Sequence, residues 1–187
     1  MKLRLTKAQL LKEWRLRSFP EPDGCGCTVE QTGGADLTAY IEARMDDWYR
    51  RLLAGAPVEM LAPVDIARQA SVTLSADGAV ARIRLPDEAV RVVSLAVEGF
   101  GRVALIHDPA GVSAISRGRG IIYSRGAVRG VVAVVGDGYV DLYPPEPFSS
   151  VPRIASLRAV VDVAGEYRLD SMALGLITEE AMYKTNF

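Results

Sequence analysis

Two helices are predicted near the N terminus, because apolar residues there recur at every third or fourth position. The first begins with a capping box formed by Thr6 and Gln9 and ends before residue 20. The second runs from about Asp36 to Ala54, with Asp36 as its N-cap and Gly55 in the place of a left-handed C-terminal cap. Its apolar stripe consists of Leu37, Tyr40, Ile41, Met45, Trp48, Tyr49 and Leu52.

From residue 71 onward, apolar residues alternate with polar ones, which is the pattern of half-buried strands. Hairpin turns are predicted at Asp77-Gly78 and at Gly136-Asp137-Gly138, each between two alternating runs. Further strands are predicted at 91–98, 100–107 and 157–163. The sequence therefore predicts an α+β fold, in which N-terminal helices are followed by an antiparallel β-sandwich or a small barrel.

Segments rich in glycine and proline divide the chain. Residues 20–35 contain seven such breakers or turn formers and separate the first helix from the rest. We therefore predict an N-terminal helical arm at 1–20, a helix plus β-domain at 36–164 and a C-terminal tail at 165–187. The arm is free, on this division, to dock on a neighbouring chain.

Composition excludes several classes of protein. The 187 residues are 49% hydrophobic and 24% charged and have a net charge of −1, which argues against intrinsic disorder and against a general nucleic-acid-coating protein. No secretory signal follows the basic start, and the longest apolar run, Val131 to Val135, is too short to span a membrane. A cytoplasmic protein, or one incorporated in a virion, is expected.

Chemistry-bearing residues are few. His107 is the only histidine, and Asp108 beside it is poorly placed to orient its ring, because neighbouring strand residues point to opposite faces. Cys25 and Cys27 supply two soft ligands where structural zinc takes four. Since phosphate-binding glycine motifs are also missing from the sequence, we expect neither an enzyme nor a bound cofactor or metal.

Arginines are concentrated in one segment. Between Gly101 and Gly130 the only acidic residue is Asp108, which against five basic residues leaves a local charge of +4. The five are Arg102, Arg117, Arg119, Arg125 and Arg129. Arginine suits planar, bidentate contact with phosphate or carboxylate, so this segment is a candidate for contact with nucleic acid or with an acidic neighbour. A solvated loop kept soluble by its charge is the alternative.

The stretch from the long helix through the first hairpin to Leu85-Pro86-Asp87-Glu88 and the following strand resembles phage adaptor proteins, over about residues 36–100. These are small head-to-tail connector and tail components that form rings beneath a portal. The resemblance implies a non-enzymatic structural protein, a homo-oligomeric ring with neighbouring structural proteins as partners, and non-specific contact between the arginine-rich segment and DNA.

Two other classes remain open from the residues alone. One is a small bacterial β-domain that binds a ligand or a partner protein, which a deep apolar pocket would favour. The other is an enzyme with a cleft that joins His107 to acidic residues from distant strands.

Overall fold

The chain folds as two groups of elements. The structure is a computed structural model, and it describes residues 1–18, 37–107 and 130–178. Residues Met1–Ala62 and Asp162–Phe187 form the group that we call the helical unit. Residues Pro63–Val161 form the other group, the sheet unit.

Helices precede most of the strands along the chain. The elements are, in order, β1 (Lys2–Thr6), α1 (Lys7–Ser18), α2 (Leu37–Gly55), β2 (Val64–Asp65), β3 (Ser71–Leu74), β4 (Ala81–Arg84), β5 (Ala89–Val97), β6 (Gly101–Ile106), β7 (Val132–Gly136), β8 (Tyr139–Tyr143), β9 (Ile154–Val161) and β10 (Glu166–Asp170). Short 3-10 helices lie at Val58–Met60 and Ser171–Gly175. Among the described residues, no helix is both long enough and apolar enough to cross a membrane.

The sheet unit is one curled sheet of eight strands, shaped like a half-barrel, in the order β2-β9-β5-β6-β7-β8-β4-β3. The prediction of an α+β fold is confirmed, and so are both hairpins, β3–β4 and β7–β8. One feature differs from a wholly antiparallel sheet: β6 and β7 run parallel, with Ala104 opposite Val132. Alternation of apolar residues cannot reveal strand direction, because it reports only which face is buried.

The core of the sheet unit lies on the face that carries Ala81, Ile83, Val140 and Leu142, each with no measurable exposure. These residues meet in register, Ala81 opposite Leu142 and Ile83 opposite Val140. Their polar neighbours Arg82 and Arg84 are exposed on the other side. The alternation of apolar and polar residues in β4 therefore corresponds to one buried and one exposed face of the sheet.

The helical unit begins with a strand that the sequence pattern did not indicate. β1, in the predicted N-terminal arm, pairs in antiparallel fashion with β10, in the predicted C-terminal tail. The predicted capping box is confirmed: the Gln9 backbone N–H donates to Thr6 Oγ1 at 3.3 Å, and the Thr6 N–H donates to Gln9 Oε1 at 2.9 Å. The rings of Trp14 and Trp48 then join α1 to α2, edge to face at 5.3 Å.

The end of α2 corrects one prediction. Gly55 is the last residue of the helix, and its backbone is not in the left-handed region. The Ala56 N–H still donates to the Leu52 carbonyl at 2.9 Å, so helical hydrogen bonding continues up to Pro57. Proline, which lacks an N–H, ends this helix in place of a glycine cap. The proposed N-cap, Asp36, lies outside the described residues.

Candidate functional site

The arginines predicted to bind DNA are only partly within the described residues. Arg102 lies on β6, opposite Ala96 of β5, and is exposed to solvent. Arg117, Arg119, Arg125 and Arg129 lie outside the described residues, so the grouping of the five side chains stays a prediction.

The candidate catalytic and metal-binding residues also lie only partly within the described residues. His107 follows β6 and is exposed, while Asp108, Cys25 and Cys27 lie outside the described residues. Within residues 1–18, 37–107 and 130–178, no cluster of three or more His, Cys, Asp or Glu side chains is placed to hold a metal ion.

One concavity of the described residues is a groove in the sheet unit, with a volume of about 730 Å³. We call it the proline–phenylalanine groove. Its wall is one proline-rich segment, residues 145–153, and its opposite side is the turn that carries Glu98 and Phe100 between β5 and β6. The lining residues are Glu98, Phe100, Pro145, Glu146, Pro147, Phe148, Ser149, Ser150, Val151, Pro152 and Arg153.

The turn between β3 and β4 holds one end of the proline-rich segment in place. The Phe148 N–H donates to the Gly78 carbonyl at 2.9 Å. Gly78 has a φ of +67°, and a Cβ built there would lie 2.4 Å from the Phe148 carbonyl oxygen. Asp77 stabilises this turn by accepting from the Ala79 N–H at 3.0 Å and from the Ser75 hydroxyl at 2.7 Å. Only glycine fits this position, because the backbone is left-handed and the segment is close.

The turn between β5 and β6 places an aromatic ring on the groove. Phe100 stands between Gly99 and Gly101, both with positive φ, and its N–H donates to the Val97 carbonyl at 3.1 Å. The neighbouring Glu98 N–H donates to the Arg153 carbonyl at 2.9 Å, which ties the turn to the far end of the proline-rich segment. Backbone hydrogen bonds at Phe148 and at Arg153 therefore tie the proline-rich segment to the two turns.

The groove presents apolar surface to solvent. Phe100 is 43% exposed and Val151 is 52% exposed, and the ring of Phe100 contacts that of Phe148 edge to face at 5.9 Å. Adjacent exposed apolar groups of this kind are typical of protein–protein contact sites. Glu98 and Glu146 also line the groove, and no ion pair of either carboxylate is seen among the described residues.

A second concavity, of about 380 Å³, lies in the helical unit and is polar. We call it the tyrosine cleft, after Tyr49 and Tyr167. The Tyr167 hydroxyl donates to Asp46 Oδ1 at 2.7 Å, and the Arg168 N–H donates to the Tyr49 hydroxyl oxygen at 2.9 Å. The two rings meet edge to face at 4.8 Å. Lys7 completes the network, 2.8 Å from Glu42 and 3.6 Å from Asp46.

Burial governs the ionisation of both tyrosines. It raises the pKa of Tyr49 to about 12. Burial, together with the hydrogen bond to Asp46, also raises the pKa of Tyr167. Both hydroxyls thus stay protonated near neutral pH, so they act here as hydrogen-bonding groups that join α2 to β10. Asp46 of α2, which does not belong to the apolar stripe of that helix, is part of this network.

Carboxylates of low pKa fix the β1–β10 pair. Glu166 accepts from Arg4 and, at 2.6 Å, from Arg168, and these hydrogen bonds lower its pKa to about 2. Asp170 is buried and accepts from the Met172 N–H at 3.0 Å. That bond, followed by the Met1 ammonium group 3.0 Å away, lowers its pKa to about 2.

One ion pair is partly buried in the sheet unit. Arg82 contacts both oxygens of Asp141, at 2.7 and 2.8 Å, and its guanidinium lies 4.2 Å from the Tyr139 ring centre. The hydrogen bond to Asp141 raises the pKa of Arg82. Tyr139 in turn covers Gly136, where a Cβ would be 2.3 Å from the ring. In this cross-strand cluster the buried Asp141 carboxylate is paired, and the cluster is a stabilising feature of β4, β8 and β7.

Sequence reasoning did not find the groove, although one signal for it was present. Phe100 lies between two glycines and Phe148 follows Pro144, Pro145 and Pro147. Large aromatic residues inside turn-forming segments have no strand or helix face to pack on, which indicates either a local contact or an exposed patch. No protein-family model matches the sequence, and no curated protein compared with it is detectably similar. The geometry therefore carries the functional argument.

Proposed function

We propose that this protein is a non-enzymatic structural subunit that assembles with copies of itself into a ring, as phage head-to-tail connectors and tail adaptors do. The observation that carries the proposal is the proline–phenylalanine groove, which is lined by the exposed side chains of Phe100 and Val151 and by the half-buried ring of Phe148. A preformed apolar concavity suits a heterologous interface, which closes into a ring when the rotation between subunits allows it. In this role the protein would be made in the cytoplasm and incorporated in a virion beside neighbouring structural proteins.

The molar mass in solution tests the proposal. Light scattering behind a sizing column should give a multiple of the 20.2 kDa subunit, alone or in the presence of the neighbouring ring. Phe100→Ser should shift the mass toward the monomer, because it removes the exposed ring from the groove. Val90→Ser is the matched control, since Val90 lies on β5 with 45% exposure and does not line the groove. A monomer that persists beside its natural ring would contradict the proposal.

Contact with DNA is part of the same proposal. Phosphate binding without sequence readout is what a ring around a DNA channel requires, and the arginines Arg102, Arg117, Arg119, Arg125 and Arg129 have suitable chemistry. Replacing Arg117, Arg119 and Arg125 with serine should weaken duplex binding at low salt and lower the slope of its salt dependence. Unchanged binding would remove the DNA-channel part of the proposal and leave ring assembly untouched.

The groove also supports a second function, that of a small domain that binds a peptide of another protein. Its size, prolines and aromatic pair suit an extended ligand. A chain that remains monomeric at every concentration, but loses a binding partner on Phe100→Ser, would favour this function over ring assembly.

A further inference from the structure

The outer face of α1 is basic and carries an exposed apolar side chain. Ala8, Lys12, Arg15 and Leu16 follow one another at helical spacing and are all exposed, with Leu16 at 61%. The core of the unit holds Leu10 and Trp14, on the other side of the helix. Four basic residues and one acidic residue give α1 an excess of positive charge.

The proline–phenylalanine groove has the complementary character. It offers the exposed side chains of Phe100 and Val151 and the half-buried ring of Phe148, and its described lining includes the acids Glu98 and Glu146 and one base, Arg153. A helix that inserts one apolar anchor and places bases beside bordering acids is a common mode of recognition. An acidic, apolar groove and a basic helix face with an apolar anchor thus occur on the same chain.

We infer that α1 of one copy docks into the proline–phenylalanine groove of the next copy, with Leu16 against the phenylalanines and with Lys12 and Arg15 facing Glu98 and Glu146. This inference rests on the proposed function and names the two faces of its interface. The contact is heterologous, because a helix of one subunit meets a groove of another, and repetition of it generates a ring. Arg15 also reaches α2 within its own chain, where its Nη2 donates to Thr38 Oγ1 at 3.2 Å.

Charge reversal with complementation tests this pairing. One variant carries Lys12→Glu and Arg15→Glu, and the other carries Glu98→Lys and Glu146→Lys. Each alone places like charges across every interface, so we expect self-association to weaken about tenfold or more. An equimolar mixture restores opposite charges wherever the two variants alternate, and it should recover assemblies with an even number of subunits. Arg68→Glu with Arg84→Glu is the control for the helix variant, because it makes the same change in net charge as that variant at exposed positions outside both faces.

The outcomes separate this inference from the proposed function. If the wild type assembles and Phe100→Ser dissociates it, while the helix variant assembles normally, the groove is an interface and α1 is not its occupant. The same conclusion follows if both variants are folded by circular dichroism but their mixture stays dissociated. If the wild type never assembles, beside its neighbouring ring or alone, the proposed function and the inference both fail. Leu16→Ser, at an exposed position, should reproduce the loss without any change of charge.

Discussion

The tyrosine cleft and the proline–phenylalanine groove are both concave, but they differ in their side chains. Those of the cleft are polar and hydrogen-bonded, whereas the groove exposes apolar ones. In the cleft, Tyr49, Tyr167, Asp46 and Lys7 hydrogen-bond or pair with one another or with the backbone. In the groove, backbone hydrogen bonds hold the walls while Phe100 remains exposed. A satisfied polar network stabilises a fold, whereas an exposed apolar concavity gains free energy only when a partner covers it. Substitutions in the cleft should therefore reduce stability, and those in the groove should reduce assembly.

The largest expected effect on the free energy of unfolding comes from a substitution at Gly78, because this turn residue contacts the proline-rich segment of the groove. Gly78→Ala should lower the free energy of unfolding by about 3 kcal/mol, because it combines a left-handed backbone with a clash against the Phe148 carbonyl. Gly99→Ala is the matched control: its φ is +81° but nothing lies within 4 Å, so only the backbone strain of about 1 kcal/mol remains. Chemical denaturation measures both. Equal losses would mean that close packing on Phe148 contributes nothing.

The next effect concerns the tyrosine cleft. Asp46→Ala should lower the free energy of unfolding by about 2 kcal/mol, because the hydroxyl of the buried Tyr167 loses its hydrogen-bond acceptor. Asp47→Ala, one residue away, removes only an exposed pair with Arg51 and should cost about 0.5 kcal/mol or less. Neither change should alter the molar mass of the assembled protein. Similar losses of unfolding free energy for the two variants would show that the hydrogen bonds of the cleft stabilise the fold no more than an exposed ion pair does.

Acid should weaken the β1–β10 pair. The pKa values of Glu166 and Asp170 are about 2 in the folded chain, against 4.5 and 3.8 for the unperturbed groups. Because folding lowers these values, the ionised carboxylates favour the folded state: their contribution is complete above about pH 5 and is lost as the pH falls toward 2. Glu166→Gln should flatten the dependence of unfolding free energy on pH between 5 and 2. A curve parallel to that of the wild type would contradict the assignment.

The smallest expected effect on stability is that of the groove itself. Phe100→Ser should change the free energy of unfolding of the dissociated chain by less than about 1 kcal/mol, since the ring is 43% exposed and loses one aromatic contact. The same variant should nevertheless dissociate the assembly. A large loss of stability with no change in molar mass would show that Phe100 stabilises the fold by packing and does not contribute to assembly.

Local signals accounted for much of the fold and for little of the candidate site. The Thr6–Gln9 capping box and the glycine turns at Gly78 and Gly138 were predicted and are present, because each depends on a few neighbouring residues. The predicted cap at Gly55 was wrong, since the Gly55 backbone is not left-handed and helical hydrogen bonding continues to Ala56, just before Pro57. The role of Asp46 was not predicted, because its partner Tyr167 is 121 residues away and no local pattern connects them.

The sequence by itself determined where both helices and most of the strands and turns of the sheet unit occur, since apolar periodicity and turn residues act over a few positions. It also determined the excess of arginine between Gly101 and Gly130. Only the tertiary structure decided that β6 and β7 run parallel, that β1 pairs with β10, and that Phe100 faces Phe148 across a groove. These contacts join residues far apart in the chain, and they form because several elements bury their apolar faces together.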